Sequence, residues 1–338
     1  MTPAERDRYS RQVLFAGIGE TGQERLLRAR VAIVGCGALG SFQAGALARA
    51  GVGYLRIVDR DYVELSNLQR QWLFEEDDAR AALPKAVAAK RRLAGINGGV
   101  TVEAEVADLT PRNADELLGE CDLILDATDN FETRYLINDY AVREGVSWIY
   151  GGAVAAQGTV MAMIAGQGPC LRCVYPKAPG GLEATCETAG VLNTATSLIA
   201  SLQVTEAFRV LCGVAGPYRV TAVDLWQGSV RQIARPEREP ACVCCGARRF
   251  EYLEGRRRAP ISLCGRNAVQ IHERDRAVDL SALAERLRPL GEVKANEFAL
   301  RFFPAGYEVT VFPDGRAIIK GTTDTGVARS LYAQYVGS

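Results

Sequence analysis

The first half of the chain alternates short apolar runs with segments of helical spacing. Val31-Ala32-Ile33-Val34 reads as a strand and runs into Gly35-Cys36-Gly37-Ala38-Leu39-Gly40, after which an alanine-rich segment reads as a helix. Tyr54 to Asp59 reads as a second strand, residues 85–94 as a helix after Pro84, and 100–106 as extended chain. Leu123 to Asp126 is a further buried strand, followed by a helix over about 131–143 and a strand beginning at Trp148. Strands alternating with helices imply a largely parallel sheet with helices on its faces.

Beyond Gly158 the texture changes. Thr159–Ala165 and Arg219–Ile233 read as strands; between them lie a Gly/Pro-bearing segment, 166–189, and a long helical stretch, 190–212. This predicts strands paired antiparallel. Residues 255–260 (Gly-Arg-Arg-Arg-Ala-Pro) form a polar break. From Ile261 the pattern resets: a strand, a helix near 279–289, strands at about 297–303 and 307–320, and a helix near 324–335. Pro313-Asp314-Gly315 is hairpin chemistry. The expected division is a domain over 1–254, with a helical arm over about 1–28, and a small appended α+β domain over 258–338.

The chain has 338 residues, 48% hydrophobic and 24% charged, which suits about two globular domains. Forty basic residues balance forty acidic ones, which argues against a nucleic-acid partner or a polybasic membrane surface. The first twelve residues are polar, and no apolar run is long enough to span a bilayer, so a cytoplasmic protein is expected. Ten cysteines then call for metal ligands, reactive thiols or core positions. The single histidine, His272, lies in a strand-like stretch and is read as structural; its isolation removes Ser-His-Asp, Cys-His and multi-histidine zinc chemistry elsewhere.

Gly35-x-Gly37-x-x-Gly40, between a strand and a helix, permits a tight turn and a close approach of backbone to phosphate at a helix N-terminus. Asp59, ending the next strand, stands where a ribose-binding acid is expected. The fold class is thus α/β: a Rossmann-like, mostly parallel sheet with an antiparallel continuation, plus a small C-terminal α+β domain. The loop alone leans toward a dinucleotide and an NAD(P)-dependent oxidoreductase. The residues after it point elsewhere. Asp59, Asp61, Asn67, Arg70 and Gln71 crowd the segment past one strand end, Lys85 opens a helix, and Asp129 and Asn130 follow another strand end, with Arg134 a turn beyond. Strand ends of an open parallel sheet face one crevice, so Asn67, Arg70, Lys85 and Asp129 can meet there. Two cations suit a triphosphate, and a carboxylate among them suits Mg2+. Taken singly, Arg70 and Lys85 read as solvated charges and Asp129 as a helix cap.

Arg8-Tyr9-Ser10-Arg11-Gln12, the glycine loop, Ser66-Asn67-Leu68-Gln69-Arg70-Gln71, Pro84-Lys85 and Asp126-Ala127-Thr128-Asp129-Asn130 follow the order typical of the ThiF/MoeB/E1-like adenylyltransferases, which the chain resembles over about residues 5–250. The resemblance implies ATP-dependent adenylation of the C-terminal glycine of a ThiS- or MoaD-like sulfur carrier ending in Gly-Gly. It implies a homodimer, and a sulfur donor such as a cysteine desulfurase. Asp59 would then bind ribose, Asn67, Arg70 and Lys85 the triphosphate, and Asp129 magnesium, while Arg11 would reach the neighbouring subunit's ATP. Within the same family an E1-like tRNA-modifying dehydratase is the alternative.

Cys170-x-x-Cys173 and Cys242-x-x-Cys245, roughly seventy residues apart, suit a closed, structural tetrahedral zinc that ties about 165–250 together. A redox-active CxxC is the competing reading, and Cys244 competes with Cys242 for ligation. Cys186 lies in a polar segment before the long helix, where a helix N-terminus favours the thiolate and Glu183 and Glu187 oppose it; the resemblance places it at the family's crossover-loop cysteine, which implies a nucleophile that can join covalently to the activated carrier. Cys36, Cys121 and Cys212 read as core. Cys264 opens the appended domain, which is too short for a rhodanese domain and is read as a carrier- or partner-docking module.

Overall fold

The structure, a computed structural model, describes residues 1–177, 189–214, 216–256, 262–263, 268–271, 277–313 and 315–337. Cys186, Cys264 and His272 lie outside the described residues. The chain divides into two compact units, Met1–Arg257 and Arg258–Ser338.

The first unit opens with α1 (Pro3–Arg8), started by Pro3 at its first turn and a reciprocal Thr2–Glu5 capping box. Then come α2 (Ser10–Val13), α3 (Gly19–Arg28), β1 (Arg30–Val34), α4 (Ala38–Ala50), β2 (Tyr54–Val58), α5 (Glu76–Arg80), α6 (Lys85–Ile96), β3 (Thr101–Glu105), α7 (Ala114–Leu118), β4 (Leu123–Asp126), α8 (Phe131–Glu144), β5 (Ser147–Val154), β6 (Gln157–Met163), α9 (Leu171–Val174), α10 (Asn193–Leu211), β7 (Arg219–Asp224) and β8 (Ser229–Ala234). Among the described residues eight strands form one sheet in the order β3-β2-β1-β4-β5-β6-β7-β8. Pairing is parallel from β3 to β5 and antiparallel from β5 to β8.

Both faces of the central strands β1 and β4 are covered, which explains their apolar runs. Val31, Ile33, Leu123 and Leu125 face a core formed with Leu47, Leu93 and Ile199 of α4, α6 and α10. Their neighbours Ala32, Val34 and Ile124 face the opposite core, with Leu118, Tyr135, Ile137 and Trp148. A fully buried side chain such as Ile33 contributes ~1.5–3 kcal/mol relative to exposure. Cys36, Cys121 and Cys212 lie in these cores, as expected.

The second unit holds β9 (Ser262–Leu263), β10 (Ala268–Ile271), α11 (Leu280–Leu287), β11 (Glu292–Ala295), β12 (Leu300–Phe303), β13 (Glu308–Val311), β14 (Ala317–Lys320) and α12 (Thr325–Tyr335). Its antiparallel sheet runs β11-β12-β13-β14-β10-β9, with Leu283, Leu287, Ala328 and Tyr332 of the helices packed on Phe302, Val309, Val311 and Ile319. The 307–320 strand is two strands, folded back where Phe312 and Arg316 bond across the turn and Gly315 takes φ +83°. Edge strand β11 reads Glu-Val-Lys-Ala, too short a stretch to stand out in the sequence, and is formed by pairing with β12 while Val293 packs on the core.

Candidate functional site

Strand β1 lies between β2 and β4, so the loop leaving it meets the ends of both. Gly35 adopts φ +92° and donates its N–H to Val58 O at 2.8 Å; a Cβ there would stand 2.6 Å from Ala127 O. A Cβ on Gly40 would stand 1.9 Å from Gly35 O. These two glycines therefore serve the close contact of loop, helix and neighbouring strand ends. Gly37 caps α4 with no side chain bonded to the helix's first N–H groups. That leaves an N-terminus suited to an anion.

The residues past β2 close on this loop. Asp59 accepts from Cys36 N–H through one oxygen and from Asp61 N–H through the other, both at 2.6 Å. Desolvation raises its carboxyl above the ordinary value, opposed by the Lys85 ammonium. Lys85 is 5% exposed, and its Nζ lies 3.1 Å from Asp61. Its N–H bonds Asp61 O, so the start of α6 is stitched to the end of β2. Asn67 is buried and accepts from Glu64 N–H at 3.0 Å. Arg70 is partly exposed and spends one N–H on Ser66 O. Gln71 is 4% exposed, its Oε1 unpartnered, its amide nitrogen 3.8 Å from where a Gly37 Cβ would be. The next residue, Trp72, donates its N–H to Ser41 of α4 and its indole N–H to Ser197 of α10.

The loop after β4 is held from beneath. Asp126, fully buried, accepts Thr128 N–H and O–H through one oxygen and Arg134 Nε–H at 3.0 Å through the other. Arg134 also donates to Thr128 O and Gly151 O and stacks beside Phe131 and Tyr150. Asp129 is exposed at the top of this clamp and adds to the field that favours the Arg134 charge. The helix-capping role open to Asp129 is taken by Asn130, whose Oδ1 accepts Thr133 N–H.

Arg11 is not brought to its own chain's loop. Its neighbours Tyr9 and Gln12 are fixed at the far end of α4, with the Tyr9 hydroxyl accepting from Asn97 and Gln12 donating to Ala50 O. A helix of 13 residues puts about 20 Å between its two ends. Arg11 is exposed there, without a hydrogen bond or ion pair among the described residues, beside exposed Leu14 and Phe15.

Cys170, Cys173, Cys242 and Cys245 bring their sulfurs within 4.8 Å of one another. Three of the sulfur–sulfur distances are 3.4, 3.7 and 4.0 Å, close to the ~3.8 Å between thiolates that share a tetrahedral zinc. The donor set fits a closed structural site. Cys244 is fully buried beside them but stands outside the four.

Two polar anchors gave no signal in the sequence. Gln203 of α10 donates to Asp126 O and accepts from Gln43 of α4 at 2.7 Å each, under a glycine, Gly151, whose Cβ would strike it. Asn138 of α8 bonds Leu171, next to Cys170, and Cys244, between Cys242 and Cys245. Each sits in a helical stretch where an amide reads as surface, and only the tertiary neighbours reveal the need for it.

The fold and the loop define a nucleotide-binding α/β protein with a cysteine-bound lobe. The ThiF family pattern matches residues 9–244, and the chain belongs to the ThiF family. It is 44% identical over 335 residues to the sulfur carrier protein ThiS adenylyltransferase of Bacillus subtilis (strain 168), covering 98% of this chain and 99% of that one. The likeness therefore includes the second unit. It is 41% identical over 253 residues to the sulfur carrier protein adenylyltransferase of Thermus thermophilus, covering 72% and 92%. The structure of E. coli MccB with ATP superposes with a TM-score of 0.62 at 23% identity, over 71% of this chain and 74% of that one, a likeness of fold. No helix among the described residues is long and apolar enough to cross a membrane.

Proposed function

We propose that the loop Gly35–Gly40 binds ATP and that the protein adenylates the C-terminal glycine carboxylate of a ubiquitin-like sulfur carrier, preparing it for sulfur transfer. The observation that carries this reading is the convergence on one helix N-terminus: Asp59 bonded to the loop, Lys85 bonded to Asp61, Gln71 turned toward Gly37, and the Asp129 loop in contact with Gly35. The two relatives above, both sulfur carrier adenylyltransferases, support the choice of substrate.

In this reading Asp59 keeps lone pairs for the ribose hydroxyls, and Asp61 aims Lys85. Asn67, Arg70, Gln71 and Lys85 bind the triphosphate. The carrier carboxylate is already ionised at neutral pH, so no general base is required. Its oxygen bonds the α-phosphorus as the bond to the bridging oxygen breaks, and pyrophosphate leaves with that electron pair. Lys85 and Arg70 lower the repulsion between carboxylate and phosphate and stabilise the leaving group. A magnesium ion held at Asp129 would supply further charge neutralisation on the phosphate oxygens. Zinc at the four cysteines would be structural. The protein acts as a homodimer in the cytoplasm, with Arg11 serving its partner's site; support comes from the separation of Arg11 from its own loop and the exposed Leu14 and Phe15 beside it.

The test is carrier-dependent ATP–pyrophosphate exchange. Asp129→Ala should lower it ~100-fold or more, the range seen when one charge-stabilising group is lost. Exchange that persists unchanged in this variant removes Asp129 from the site. Tight NADH binding with no ATP binding would revive the oxidoreductase reading.

A further inference from the structure

Resting on the zinc reading above, we propose that Asn138 is the positioning residue that joins the two cysteine pairs and keeps Cys244 off the metal. The amide is fully buried in the middle of α8, where both its oxygen and its nitrogen need partners. Its Oδ1 accepts Leu171 N–H at 2.7 Å, the first backbone donor after Cys170. Its Nδ2 donates to Cys244 Sγ at 3.3 Å, between Cys242 and Cys245. One side chain from a third segment thus spans both pairs.

The second bond decides between ligands. Five thiols lie together here, whereas a tetrahedral site takes four. Cys244 directly adjoins Cys245 in sequence, and it packs against Cys170 and Cys242. Holding its sulfur against α8 leaves Cys242 and Cys245 as the pair that faces Cys170 and Cys173. Asp139 reinforces the arrangement by accepting Tyr252 N–H and Leu253 N–H just beyond the second pair.

The experiment uses the full-length zinc-loaded protein and follows zinc release to excess chromophoric chelator. Asn138→Leu removes both bonds at similar volume. Asn138→Asp keeps the acceptor for Leu171 and loses the donor to Cys244. Release should accelerate ~10–100-fold in the leucine variant, the usual consequence of losing a hydrogen bond just outside a metal site, and by a smaller factor in the aspartate variant. Adding Cys244→Ser to Asn138→Asp should bring the rate back toward wild type, a rescue that a generally weakened fold would not give. Ile137→Val, on the same helix and equally buried, is the comparator and should stay near the wild-type rate. Wild-type release from both Asn138 variants, or equal acceleration in Ile137→Val, overturns the proposal; if the leucine variant does not fold, the aspartate variant and its rescue decide. Wild-type protein without zinc would instead sink the zinc reading on which the proposal stands.

Discussion

Two alanine substitutions three residues apart separate the glycine the protein needs from the glycine its ligand needs. At Gly40 a methyl group would stand 1.9 Å from Gly35 O, so Gly35 or α4 has to move by about 1 Å to reach the shortest tolerated contact. Gly35 has little room: its N–H is bonded to Val58 O, and its α-carbon lies against Ala127 O. Overpacking of this kind costs ~1–3 kcal/mol, and a loop displaced by ~1 Å loses ~100-fold in turnover. At Gly37 the nearest atom to the added methyl is the Gln71 amide nitrogen at 3.8 Å, so no neighbour has to move, although the φ −84°, ψ −139° pair lies outside the regions alanine ordinarily adopts. Gly37→Ala should therefore leave the packing intact and cost ~1–3 kcal/mol in backbone strain. The same methyl stands at the mouth of α4, where phosphate must approach the N–H groups, so ATP affinity should fall ~10-fold or more. Urea unfolding and ATP calorimetry on both variants give the two readings. If Gly37→Ala binds ATP as tightly as wild type, the loop is not the phosphate cradle. If Gly40→Ala is stable and active, the loop relaxes in a way the reasoning denies.

Other substitutions test the supports of the site. Arg134→Leu strands the buried Asp126 carboxylate and should cost ~3–5 kcal/mol in urea unfolding; a loss near zero would mean that Asp126 takes up a proton without penalty. Cys242→Ser should lose zinc, whereas Cys244→Ser should keep one equivalent by metal analysis; the reverse result would exchange their roles. Burial lifts the Asp139 carboxyl from 3.8 to about 6, so the folded protein holds a proton that the unfolded chain releases, and that contribution is lost as pH rises through about 6. Asp139→Asn stays neutral, and its stability relative to wild type should rise by up to ~3 kcal/mol between about pH 4 and pH 7; a flat difference would mean that the carboxyl titrates normally.

The parallel half of the fold was readable because Val31–Val34 and Leu123–Asp126 are buried on both faces and leave little else for the residues to do. The glycine loop was readable because close backbone approach excludes other residues, and the cysteine pairs because their spacing repeats. Short helices such as α5 and α7 escaped, since five residues carry too little periodicity; α5 is held by its capping box and α7 by the burial of Ala114, Leu117 and Leu118. The clamp under Asp129 was half visible: Asp126 and Arg134 stood in sequence, but their pairing, and the Gln203–Gln43 amide pair bonded to Asp126 O, depend on chain segments that meet only after folding. Arg11 could be picked out by resemblance alone, because an exposed arginine on a four-residue helix has no local signature.

Helix α8 carries Arg134 in its first turn and Asn138 and Asp139 further along. A segment exchange with a relative that took the span from Leu171 to Cys245 alone would replace both groups that Asn138 bonds while leaving Asn138 itself behind. The smallest transplantable block runs from Asp126 through Leu253, and it carries the Asp129 loop's own clamp along with it. Breeding a hardier metal lobe in isolation is thus barred by the way one helix is shared.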